Sequence, residues 1–150
     1  MPETNHTIGA LNRLLVLHSR SLPMYLKYAR PWGSEEGEAA AVLEAIVADQ
    51  EEYVSRIGSL ILERGGAVRH GEFPIQFTGM HELSWSYLLR QMIERQQRDI
   101  VEIHNCVTAL AGDPFAHALA EEALGAAQAH LDTLREADSS GRGLRIAETS

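Results

Sequence analysis

The sequence predicts an all-α protein, a four-helix bundle made of two antiparallel helix hairpins joined by a long crossover. Three observations carry this. Apolar residues recur at helical spacing in four long runs, strand-like alternation is nearly absent, and the connections between the runs are short, long and short in turn. With 150 residues, 45% of them hydrophobic, the chain can bury one core of its own.

The first run extends from about Asn5 to Ala29 and turns Ile8, Leu11, Leu14, Leu15, Leu22 and Tyr25 to one face, with Pro31 just beyond its end. Pro23 lies inside it, and a residue without a backbone N–H predicts a kink or bulge there. The second run starts after Ser34, a good N-cap followed by Glu35 and Glu36 in the favourable first turn, and stops at Gly65 and Gly66. Its inner face is Val42, Ile46, Ile57, Leu60 and Ile61. The third run, roughly Glu82 to Ala111, buries Leu89, Met92, Ile93, Ile100, Ile103, Val107 and Leu110 and breaks at Gly112-Asp113-Pro114. The fourth begins near Pro114, which suits a first helical turn, and buries Leu119, Ala123, Ala127, Leu131 and Leu134.

Residues 1–137 therefore read as the bundle, and 138–150, small and polar in SSGRGLRIAETS, as a flexible tail. The segment from Gly65 to His81 is Gly-rich and carries Phe73, Pro74 and Phe77. At about 3.3 Å per extended residue it can run the length of a helix of roughly 30 residues, itself about 45 Å long. Phe73 and Phe77, with Trp32 and Trp85, are expected to pack this crossover onto the bundle or to fill a subunit contact.

Five polar residues interrupt the apolar stripes. At about 100° of rotation per residue, His18, Gln50, Tyr53, Gln96 and His130 all point inward. Glu51, Glu94, Glu102, Glu121 and Glu122 fall on outer faces, and among the neighbouring acids only Asp49 flanks a core stripe. A buried polar group without a partner costs several kcal/mol, so the five are expected to hydrogen-bond one another and one or two waters.

Composition excludes several classes of function. The 13 basic and 21 acidic residues leave a net charge of −8, and the basic ones are scattered, so there is no footprint for nucleic acid. A single cysteine cannot form an internal disulfide, and the start MPETNHTIG lacks the basic and apolar regions of a secretory signal, which predicts a cytoplasmic setting. No apolar stretch approaches the roughly 20 residues that cross a bilayer. Gly-rich phosphate loops, G-x-S-x-G and H-E-x-x-H motifs and cysteine pairs are missing, and no motif identifies a small-molecule ligand. Cys106 reads as a buried, inert thiol.

Four segments carry a family resemblance: LNRLLVLHSRSL, ADQEEYVSRIGSLILERGG, LLRQMIERQQRDIVEIHNCVTALAGDP and LAEEALGAAQAHLDTL. Over roughly Leu11 to Leu134 the chain resembles the ferritin-like superfamily of ferritins, bacterioferritins and rubrerythrins. That resemblance implies a bundle with a di-iron centre held by Glu on the first helix, Glu-x-x-His on the second, Glu on the third and Glu-x-x-His on the fourth. The corresponding positions here are His18, then Gln50 and Tyr53, then Gln96, then Ala127 and His130, and only His130 keeps the family's residue. Gln offers a neutral amide, Ala offers nothing, and Tyr binds strongly only after losing a proton with a pKa near 10. Ferroxidase chemistry is therefore not expected.

The resemblance also implies a homodimer through the outer faces of the first two helices. Bacterioferritin-like haem binding would want a methionine near Glu52, and none is there. The sequence reads as a non-catalytic binding or assembly module that needs no cofactor. The alternative is a metal-binding protein or oxidoreductase in which His18 and His130, completed by Asp49, Gln96 or Tyr53, hold a single divalent metal ion.

Overall fold

The computed structural model describes residues 2–29, 37–80 and 84–149, with the side chains of 2, 37–39 and 140–149 left undescribed. Within them the chain is predominantly helical, as α1 (Pro2–Ser19), α2 (Leu22–Ala29), α3 (Gly37–Glu63), a single 3-10 turn (Ile75–Phe77), α4 (Trp85–Ala109) and α5 (Pro114–Thr149). Ser34, Glu35 and Glu36, expected above to start the second helix, lie outside the described residues, as do Pro31, Trp32 and His81.

Pro23 splits the first run in two. A proline there cannot donate to Ser19, so the ladder of α1 ends with Arg20 N–H bonding Val16 O at 2.9 Å. Ser21 then caps α2: its hydroxyl accepts from the N–H of Met24 at 3.2 Å and its carbonyl from that of Tyr25 at 3.1 Å. The break leaves the hydroxyl of Ser19 buried without a partner among the described residues. It also turns the hydroxyl of Ser21 toward α3.

Gly65 ends α3 with φ +79°, in the left-handed region that favours glycine. Gly65 N–H bonds Leu62 O at 3.0 Å and Gly66 N–H bonds Ile61 O at 2.9 Å, the two bonds of a Schellman cap. Gly66 is then pressed against α1, where a Cβ would come within 2.7 Å of Ile8 Cγ2. At the start of α5, Asp113 precedes Pro114 and its Oδ1 accepts from Ala116 N–H at 3.2 Å. Arg64 also grips both oxygens of Asp113, at 2.8 and 3.1 Å, which ties the end of α3 to the start of α5.

The crossover after Gly66 climbs along the first two helices. Asn12 holds it at Ala67 O (3.0 Å) and Arg69 N (2.7 Å), and Arg20 donates to Gly71 O at 3.1 Å. Farther on, Tyr25 meets Phe73 and Phe77 with ring centroids 5.4 and 5.7 Å apart, and Phe77 is buried. Phe73 and Phe77 thus do pack the crossover onto the helices, and Trp85 joins the same cluster.

Contacts along the helices fix their directions. Ile8 meets Gly66 and Ser21 meets Gln50, so α1 and α3 run antiparallel. His6 bonds Ala109 O and Arg13 meets Glu102, so α1 and α4 also run antiparallel, which makes α3 and α4 parallel and explains the long connection between them. Asp49–His130, Arg56–Glu122 and Arg64–Asp113 run down an antiparallel α3–α5 seam.

The backbone of α5 runs on as helix to Thr149, so the segment after Ala137, read from sequence as a flexible tail, continues the last helix. Its glycines disfavour helix without forbidding it, and no proline stops it.

The apolar interior falls into two clusters. One gathers Leu11, Leu14, Leu15, Ile57, Ile61, Ile103 and Ala120; the other gathers Leu22, Leu26, Leu43, Ile46, Phe77, Leu88 and Met92. Between them lie the buried polar residues His18, Ser19, Ser21, Gln50, Gln96 and His130.

Candidate functional site

The polar layer surrounds a cavity of about 10 Å³ lined by Leu17, His18, Gln50, Tyr53, Gln96, Asp99, Ile103, Ala126, Ala127 and His130. All five inward-pointing polar residues expected from the sequence line it. None of the five bonds another among the described residues; each turns one polar atom to a partner outside the group.

His18 Nδ1 donates to Leu14 O at 2.8 Å, one turn back on its own helix. A carbonyl only accepts, so the proton is on Nδ1 and Nε2 carries the lone pair. Burial pushes the imidazole's pKa below its ordinary value; the Leu14 bond opposes this shift and the nearby His130 adds to it. The ring of His18 also packs on Tyr53, with centroids 5.7 Å apart. Gln50 Oε1 accepts from the hydroxyl of Ser21 at 2.6 Å. Gln96 Nε2 donates to Ala127 O at 2.9 Å, across to α5.

Tyr53 and His130 face the α3–α5 seam. The Tyr53 hydroxyl makes only long contacts, 3.4 Å each, to the carbonyl and carboxylate of Glu122, and burial with that carboxylate nearby raises its pKa. Glu122 is held by both nitrogens of Arg56 at 2.8 Å. His130 Nε2 lies 2.8 Å from Asp49 Oδ2. That contact occupies Nε2, so this nitrogen is engaged by Asp49 at the rim.

Of the metal ligands considered from sequence, the structure joins His130 to Asp49 and not to His18. Asp49 is largely exposed and reaches His130 from the rim. Among the described residues no group of three or more His, Cys, Asp or Glu side chains is arranged to hold a metal ion. The methyl of Ala127 lines the cavity, at a position for which the ferritin-like resemblance implies a carboxylate. Two irons do not fit these donors. The wall offers imidazole nitrogens, amides and a single carboxylate, in the space of about one water.

That carboxylate, Asp99, was missed in the sequence. It follows Gln96 by three residues on α4, so the helical spacing that placed Gln96 could have placed it too. Burial pushes its pKa up to about 6, against the pull of Arg95 and Arg13. Ser21 was also missed, although a serine two residues before Pro23 is a natural cap for the second part of a broken helix. Cys106 is buried, and burial raises its thiol pKa to about 11, so it is protonated and unreactive at neutral pH. No helix in the described residues is long and apolar enough to cross a membrane. Comparison with protein-family models, curated proteins and solved structures finds no match to the chain.

Proposed function

We propose that the chain is a ferritin-like four-helix bundle whose di-iron site has given way to a neutral polar cluster, and that it acts as a non-catalytic binding or assembly module. The α1–α3 and α4–α5 pairs, with the crossover between parallel α3 and α4, support the bundle reading, since a two-hairpin bundle of this type needs those directions. The observation that carries the functional reading is the cavity wall: Ala127 supplies no ligand, His18 Nδ1 and the amide nitrogen of Gln96 are tied to backbone carbonyls, and His130 is tied to Asp49. A homodimer in the cytoplasm, joined through the outer faces of the first two helices, completes this reading.

A second reading draws on the Asp49–His130 contact, which unites two of the three candidate ligands of a single divalent metal. In that case the protein is a metal-dependent binder or oxidoreductase. Elemental analysis after purification and after incubation with ferrous or zinc salt separates the two. The module reading expects no stoichiometric metal and an unfolding temperature unchanged by chelator. Stoichiometric metal that disappears in a His18→Ala, His130→Ala double variant would establish the second reading instead.

A further inference from the structure

Three buried side chains around the cavity each keep one polar atom without a hydrogen-bond partner among the described residues. His18, Gln50 and Gln96 are 4%, 5% and 5% exposed. Each has its orientation fixed by its other polar atom. The proton of His18 goes from Nδ1 to Leu14 O, leaving the Nε2 lone pair. The Ser21 hydroxyl accepts from Met24 N–H and gives its own proton to Gln50 Oε1, leaving the amide NH2 of Gln50. Gln96 gives one N–H of its amide to Ala127 O, leaving Oε1 and the second N–H. Acceptors on His18 and Gln96, N–H donors on both glutamine amides and the carboxyl of Asp99 therefore remain around a single small space.

A cation is the wrong occupant for that set. The lone pairs of His18 and Gln96 and the carboxyl of Asp99 suit one, but the N–H groups of both glutamines present positive hydrogen, and Ser21 and Ala127 O hold those amides in place. An anion is wrong for the opposite reason, with two lone pairs and the carboxyl of Asp99 on the wall. A water molecule has two protons to give and two lone pairs to fill. The volume of about 10 Å³ suits one water and is too small for an organic molecule.

We infer that the cavity holds one structural water, donating to His18 Nε2 and Gln96 Oε1 and accepting from Gln50 Nε2, and that this water links α1, α3 and α4 at mid-height. The inference rests on the module reading above and gives it a content: the residue types that stand where the family has iron ligands are the complement of a water. Tyr53 and His130, whose hydroxyl and Nε2 are turned to Glu122 and Asp49, close the cavity toward the α3–α5 seam. Asp99 completes the wall.

The test uses the full chain in solution and in crystals. Oxygen-17 relaxation dispersion counts long-lived waters; wild type is expected to show one that is lost both in Gln50→Leu, which removes the donor, and in Ala127→Val, which fills the space. Dispersion of equal size in wild type and both folded variants would overturn the inference, because the slow water would then lie elsewhere. If either variant fails to fold, diffraction to atomic resolution from wild-type crystals decides alone. A single oxygen within hydrogen-bonding distance of all three side chains supports the water. An empty cavity overturns the water and leaves the module reading standing, whereas a metal identified by anomalous scattering overturns both.

Discussion

Asp99 and His18 titrate in opposite senses within one small space. Burial raises the Asp99 pKa from an ordinary 3.8 to about 6, so the folded state takes up its proton first as the pH falls. The sign follows: its contribution is fully favourable below about pH 4 and is lost as the pH rises through about 6. His18 is shifted down from an ordinary 6.5, so the unfolded chain protonates first and stability falls as the pH drops below that value. The two slopes partly cancel between about pH 4 and 6.5. Replacing Asp99 by Asn removes the ionised carboxyl and is expected to stabilise the protein at pH 7 by on the order of 1–2 kcal/mol, after discounting for its partial exposure. At pH 4 that gain should vanish, and the variant should lose stability more steeply on acidification than wild type. Urea unfolding at a series of pH values measures both. An Asp99→Asn variant no more stable than wild type at pH 7 would show the carboxyl to be better solvated than its surroundings indicate.

At the scale of elements, most boundaries were legible because they depend on neighbours a few residues away. Gly65–Gly66, Asp113–Pro114 and Pro23 each act within one turn, and each ends, starts or breaks a helix where the sequence placed it. The directions in which the five polar residues point were legible for the same reason. Their partners were not. Ser21 reaches Gln50 and Asp49 reaches His130 across 29 and 81 residues of sequence, distances at which helical spacing carries no information. The fate of the segment after Ala137 was also hidden, since composition reports a weak preference and not a state. Gly66 gives this scale its test. A Cβ there would lie 2.7 Å from Ile8 Cγ2, with Cδ1 and Cγ1 at 3.0 Å, so Gly66→Ala must displace the side chain that clamps α1 to the end of α3. The expected cost is about 1–3 kcal/mol, read as a lower urea midpoint with an unchanged slope. An alanine variant as stable as wild type would mean that Ile8 moves aside freely.

At the scale of the molecule, the helices are held by different chemistry on different seams. Apolar side chains dominate where α1 faces α3, whereas polar pairs that include Asp49–His130, Arg56–Glu122 and Arg64–Asp113 cross the α3–α5 seam. Asp49 and Glu122 are exposed, where water and salt screen such contacts. The seam should therefore depend on salt more than the rest of the fold does. The layer of His18, Gln50, Gln96 and His130 has a larger effect, because it separates one greasy half from the other. Few methyl groups bridge that waist, and cooperativity in a small protein travels through such bridges. Native-state hydrogen exchange should accordingly resolve two unfolding units. Amides near Ile57 and Ile103 should open with a different denaturant dependence from those near Leu43 and Leu88, and a single shared slope would mean that the hinge between the halves is as stiff as the halves themselves.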